Sequence, residues 1–108
     1  MIKVSFTQDH GTFSMSVKDH ADPLVCAGCS ALTSTLGGML EDLDEGFMLE
    51  EEPVLHEEEG NSYVSCRPYA WARDTVRWVF LTIQKGFLMM EEDYRGQVQV
   101  TDMMEMPE

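Results

Sequence analysis

Apolar and polar residues alternate strictly at the start of the chain. Ile2, Val4 and Phe6 interleave with Lys3, Ser5 and Thr7, the two-residue period of a strand with one buried face. Asp9-His10-Gly11 is a turn signal, and Phe13, Met15 and Val17 restore the alternation, so these runs predict a β-hairpin. The period then changes. At Asp22-Pro23 the aspartate can cap free backbone N–H groups and the proline suits a first helical position. Val25, Cys29, Leu32, Leu36 and Met39 fall on one stripe at helical spacing, which predicts a helix from about Pro23 to Leu40 with this stripe against the sheet. Gly37-Gly38 weakens its last turn.

Further along, Val54-Leu55 forms a short strand-like centre, Gly60-Asn61 is a second turn, and Tyr63 to Arg67 reads as a strand. A long helix is predicted from Tyr69 to Asp93, with Ala72, Val76, Val79 and Ile83 in one apolar line. Trp71, Thr75 and Trp78 widen that line, and Arg73, Arg77 and Lys85 supply polar positions. Tyr94-Arg95-Gly96 ends the helix, Gln97 to Thr101 alternates as a last strand, and Met103 to Glu108 reads as a loose tail. The order is β-β-α-β-β-α-β, without an internal repeat and without the strict alternation of a doubly wound fold. It predicts an α+β two-layer sandwich, two helices on one face of a four- to five-stranded, mostly antiparallel sheet, with residues 1–102 as a single domain and 103–108 as its tail.

Composition narrows the partners. The 108 residues, 44% of them apolar, suffice for one core. No apolar run long enough to span a bilayer and no export signal are expected, and the odd count of three cysteines fits a reducing compartment, so the expected location is the cytoplasm. A net charge of −13 repels nucleic-acid phosphates and suits a basic partner or substrate. Residues 41–59 hold ten of the 20 carboxylates and no Lys or Arg. That run is either a solvated connector with an edge strand or a docking surface for a basic partner.

Cys26 carries the candidate chemistry. It falls in the first turn of the predicted helix, where unpaired N–H groups and the helix dipole favour a thiolate, the form a cysteine nucleophile needs. Backbone N–H groups there could serve as an oxyanion hole. Ser30 lies one turn along on the same face, within reach of the nucleophile or a substrate, while Cys29 falls on the apolar stripe and reads as core. His20, six residues before Cys26, can fold back and take the thiol proton, although spacing alone leaves the pair close to incidental. The Cys26-Ala27-Gly28-Cys29 run also has CxxC form. A thioredoxin-like order of elements does not follow it, and a zinc site would need further ligands from the isolated His56 and Cys66, so no metal is expected. His10 reads as a solvated turn residue, and the pairs Met89-Met90 and Met103-Met104, with Met106, as helix core and tail. No glycine-rich phosphate loop is present, and no cofactor is expected.

The run His20-Ala21-Asp22 followed by Val25-Cys26-Ala27-Gly28-Cys29-Ser30-Ala31-Leu32 resembles the ribosomal-processing cysteine protease family, Prp, with its Gly-His-Ala motif and Asp-Ile-Val-Cys-Ala-Ala-Val-Ser-Ala-like helix start. The opening Met1-Ile2-Lys3-Val4 strand and the segments Phe87 to Tyr94 and Gln97 to Val100 are also similar to the family's. The resemblance implies a homodimeric cysteine endopeptidase that removes the N-terminal extension of a large-subunit ribosomal protein, a basic substrate. By position, Cys26 would be the nucleophile and His20 the general base, with Ser30 and Asp22 beside the substrate.

Three departures accompany it. Asp19 stands where the family has glycine before the histidine. Pro23 replaces the family aspartate, with Asp22 one position earlier as the expected helix cap. The segment from His20 to Cys26 is also shorter than the family's. Two other readings follow: a non-catalytic acidic protein-binding module on the same fold, or the same peptidase chemistry on a different substrate.

Overall fold

The structure, a computed structural model, describes residues 1–104. Strands β1 (Ile2–Asp9) and β2 (Thr12–Lys18) form the predicted hairpin, paired from Lys3 with Lys18 to Asp9 with Thr12. His10 and Gly11 both take positive φ at its tip, the left-handed geometry of a tight two-residue hairpin turn. Helix α1 (Pro23–Glu45) follows, then β3 (Val54–His56), β4 (Asn61–Cys66), a single 3-10 turn at Ala70–Ala72, α2 (Arg73–Asp93) and β5 (Val98–Met103). The five strands lie in the order β3-β4-β2-β1-β5, antiparallel except where β5 runs parallel to β1. Both helices cover one face of this sheet, the predicted α+β sandwich.

The alternation read from the sequence is the alternation of burial. Ile2, Val4 and Phe6 of β1, Phe13, Met15 and Val17 of β2, and Val64 and Cys66 of β4 are all buried. Opposite them sit Val25, Cys29, Leu36 and Leu40 of α1 and Val76, Phe80, Ile83 and Phe87 of α2. Phe6 meets Phe87 edge-on at 6.1 Å, and Phe13 lies 5.5 Å from Phe80. The helices come close because Gly28 leaves room for Met90 and Gly86 leaves room for Leu32.

Two boundaries and two helix faces differ from what the sequence predicts. Helix α1 does not stop near Leu40. Gly37 is buried where the helix passes Leu55 and Glu57 at ordinary contact distance, and the helix continues through Gly37-Gly38 to Glu45. Thr33 and Leu40 are buried where Leu32 and Met39 were expected, and those two are only half-buried at the edge of the stripe. On α2 the apolar line widens through Phe80 and Phe87. Trp71 and Trp78 instead face outward, 69% and 70% exposed, because positions 71, 75 and 78 lie on a face turned away from 76, 80, 83 and 87. At the far end β5 includes Met103, which the sequence reading assigned to the tail, while Met106 and the rest of 105–108 lie outside the described residues.

The expectation of no membrane-length apolar run is also corrected: α1 is long and apolar enough, by length and composition, to cross a bilayer. Here a third of that stretch is buried inside the fold, where Val25, Cys29, Leu36 and Leu40 belong to the core.

Candidate active site

The site forms where the end of β2 turns into α1. Asp19 takes φ 74°, a left-handed conformation in which a short polar side chain is tolerated, so it performs the turn that the resemblance assigns to glycine. Its N–H donates to the Gly60 carbonyl at 3.0 Å, clasping this turn to the one before β4. The chain's amino terminus donates to the His20 carbonyl at 3.1 Å. Asp22 occupies the N-cap position and Pro23 opens the helix, as predicted, but the Asp22 side chain makes no capping bond. That expectation is overturned: the carboxylate is left exposed, while the Asp22 backbone N–H donates to Gln97 Oε1 at 3.1 Å. Asp22 is also absent from the walls of the cleft described next.

Cys26 opens onto a cleft of about 540 Å³ between the start of α1 and the β3–β4 turn. His20, Ser30 and Cys29 share its walls. The Cys26 thiol is half-buried and sits 3.4 Å from both the N–H and the carbonyl oxygen of Ala21. The Cys26 N–H is itself used in the helix, donating to the Asp22 carbonyl at 2.9 Å. It is therefore the Ala21 N–H, preceding the helix, that is directed at the sulfur.

The structure brings His20 to the cleft but not onto the thiol. Among the described residues no hydrogen bond joins His20 to Cys26. The imidazole lies instead over Gly60, so closely that a Cβ there would sit 2.6 Å from the ring's Cε1. Gly60 has φ 80° and no side chain, and the ring occupies the space a side chain would fill. Gly60 entered the sequence reading only as a turn residue. Nothing in its own spacing ties it to His20, since the pairing arises from strand order.

The acidic run divides between the end of α1 and the cleft. Residues 41–45 finish α1, whereas Glu57, Glu58 and Glu59 line the cleft beside Asp19. Glu57 accepts from the Ser34 hydroxyl at 2.9 Å, and Glu58 pairs with His56 at 3.1 Å. The cleft mouth is therefore ringed by carboxylates.

The other two cysteines are built differently. Burial, with the neighbouring Cys26 adding to it, pushes the Cys29 thiol up to about 11, and burial pushes Cys66 up to about 12. Cys66 pairs with Phe13 at the opposite end of β2 from Val17 and Ser62, so it does not approach the cleft. His56 is bonded to Glu58, and among the described residues no group of three or more His, Cys, Asp or Glu converges as metal ligands.

The raised thiols have a measurable consequence. A native state that holds a proton more tightly than the unfolded chain is favoured below the ordinary thiol value of 9, and the advantage is lost as pH rises towards 11 and 12. The urea midpoint should therefore fall progressively above about pH 9. The fall should be shallower in Cys66→Ala, which removes the larger of the two contributions. Equal slopes in the two proteins would contradict this account.

No protein-family model matches the sequence, and no curated protein matches it. Solved structures do. The ribosomal processing protease Prp from S. aureus, in complex with a covalently linked product peptide, is 22% identical, with 94% of this chain and 99% of that chain covered at a TM-score of 0.64. In complex with a substrate peptide the same protease aligns at 21% identity and a TM-score of 0.63, with the same coverage. SMU.848 from Streptococcus mutans is 21% identical over 97% of this chain and 96% of its own, at a TM-score of 0.67. The chain thus has the fold of the Prp protease over nearly its whole length.

Proposed function

We propose that this chain is a cysteine endopeptidase in which Cys26 is the nucleophile and His20 the general base. The observation that carries the reading is the Cys26 thiol at the start of α1, open to a cleft that His20 also lines. In this reading the imidazole turns from its seat over Gly60 towards the thiol across the cleft that both residues line, and catalytic hydrogen bonds are often loose before substrate binds. The imidazole then takes the thiol proton, the Ala21 N–H steadies the resulting thiolate, and the sulfur attacks the scissile carbonyl. His20 returns the proton to the leaving amine, and water releases the acyl group from Cys26. Ser30, exposed on the cleft wall, contacts the substrate. Asp22 keeps no substrate role in this reading.

The substrate we infer is a basic polypeptide, of which the N-terminally extended large-subunit ribosomal protein is the leading instance. The support is the ring of Asp19, Glu57, Glu58 and Glu59 at the cleft. The protein acts in the cytoplasm, where its three free thiols stay reduced, without direct contact to nucleic acid or membrane. It works as a homodimer, and the outward Trp71, in the turn before α2, and Trp78 of α2 offer the apolar area for a second copy.

Incubating the protein with the extended ribosomal protein should generate one new N-terminus by mass spectrometry; an intact protein would rule it out as the substrate. Replacing Glu57, Glu58 and Glu59 together by Gln should raise KM roughly tenfold at low salt, with kcat little changed and the difference shrinking at high salt. A second reading, the acidic binding module, draws on the absent His20–Cys26 bond. It expects the same charge-dependent binding with no cleavage at all. Peptidase action on a different substrate, favoured by the short His20–Cys26 segment, would instead show as new N-termini elsewhere in a cell extract.

A further inference from the structure

The CxxC run remains unabsorbed by a peptidase mechanism, which uses Cys26 alone. Both of its cysteines line the one cleft, Cys26 half-buried and Cys29 3% exposed in the cleft's wall. We propose that a peroxide converts Cys26 and Cys29 into a reversible disulfide that silences the cleft and shields Cys26 from irreversible oxidation. The inference rests on Cys26 being a reactive thiol, and it holds whether or not the chain cuts peptides.

Geometry permits the link. Residues three apart in an α-helix have Cα atoms about 5 Å apart, inside the roughly 4.4–6.8 Å that disulfides span. Their Cβ atoms start about 5–6 Å apart and must approach by about 1–2 Å, an adjustment that the first two turns of the helix have to absorb. Cys66 cannot compete, because it lies at the far end of the sheet.

The chemistry balances in two steps. The Cys26 thiolate attacks one peroxide oxygen, the O–O bond breaks, and sulfenic acid forms as hydroxide leaves. The Cys29 sulfur then attacks the Cys26 sulfur, the S–O bond breaks, and water leaves with the Cys29 proton. An external dithiol reverses the link by exchange. Burial, with the adjacent Cys26, holds the Cys29 thiol up to about 11, so it stays protonated and does not compete for the peroxide. Adjacency then supplies the high local concentration that its slow attack on the sulfenic acid needs.

The test is limited hydrogen peroxide treatment of the whole protein, read by intact mass and fragment mapping. Wild type should lose two hydrogens, with the link mapped to Cys26–Cys29, and recover both thiols in dithiothreitol. Cys66→Ser should behave the same way. Cys29→Ser should instead carry Cys26 on to sulfinic acid, which dithiothreitol does not reverse. Sulfinic acid accumulating equally fast in wild type and Cys29→Ser overturns the proposal, as does a link to Cys66. If a link to Cys29 forms in a protein that cleaves no peptide, the peptidase reading fails and this one stands. If a cleaving protein forms no link, this one fails alone.

Discussion

Cys26→Ala should abolish cleavage of the extended ribosomal protein, lowering kcat by on the order of 10³-fold or more, while leaving the fold intact. Removing a covalent nucleophile removes the acyl-enzyme route entirely, and whatever rate remains comes from binding and oriented backbone donors. The side chain is half-buried at the edge of the core and loses only its sulfur, so the variant should unfold within about 1 kcal/mol of wild type. The variant should also still bind substrate, because the carboxylates at the cleft mouth are untouched. Cleavage at the wild-type rate would remove Cys26 from the mechanism. Loss of both cleavage and binding would mean that the substitution had disturbed the cleft rather than the chemistry.

Much of this fold is legible in the residue pattern because its core uses two clean periods. The β1 and β2 alternation needs only neighbouring strands to be satisfied, and the hairpin supplies them locally. Where a helix face is decided by packing from outside the helix, the pattern misleads. Trp71 and Trp78 are the largest apolar residues near the start of α2, yet the sheet selects Phe80 and Phe87, which meet Phe13 and Phe6. Gly37-Gly38 reads as a helix end by propensity, but Leu36 and Leu40 on either side of the pair are buried in the core, so packing overrides the intrinsic cost.

The same divide runs through the site. Cys26 at a helix start, with Pro23 as first helical residue, is local information and is found where expected. The acidic wall and the seat of His20 are not local. Glu57, Glu58, Glu59 and Gly60 reach the cleft only because β4 pairs with β2, which carries the turn before β4 alongside Asp19 and His20. A sequence read element by element treats residues 57–60 as a connector, and only the register of β2 with β4 makes them part of the cleft.

Gly60→Ala tests that register directly, and its effect should be large. Alanine at φ 80° is strained by about 1–2 kcal/mol, and its Cβ would meet the imidazole ring of His20 well inside van der Waals contact. Because the ring is exposed and the Gly60 carbonyl holds the Asp19 N–H, the ring should move while the backbone clasp persists. Two outcomes are then distinguishable. If the seat over Gly60 is the resting position from which a general base swings to the thiol, removing it should lower kcat by about 10-fold or more, because the displaced ring is no longer held at the cleft, with KM nearly unchanged. If His20 has no catalytic part, Gly60→Ala should cost stability only, and kcat of the folded protein should match wild type. His20→Ala supplies the reference: it should lower kcat by roughly 10²–10⁴-fold, and adding Gly60→Ala to it should have no further effect on kcat, since the alanine then has no ring to displace. An additive loss in the double variant would mean that Gly60 acts on the cleft by a route other than His20.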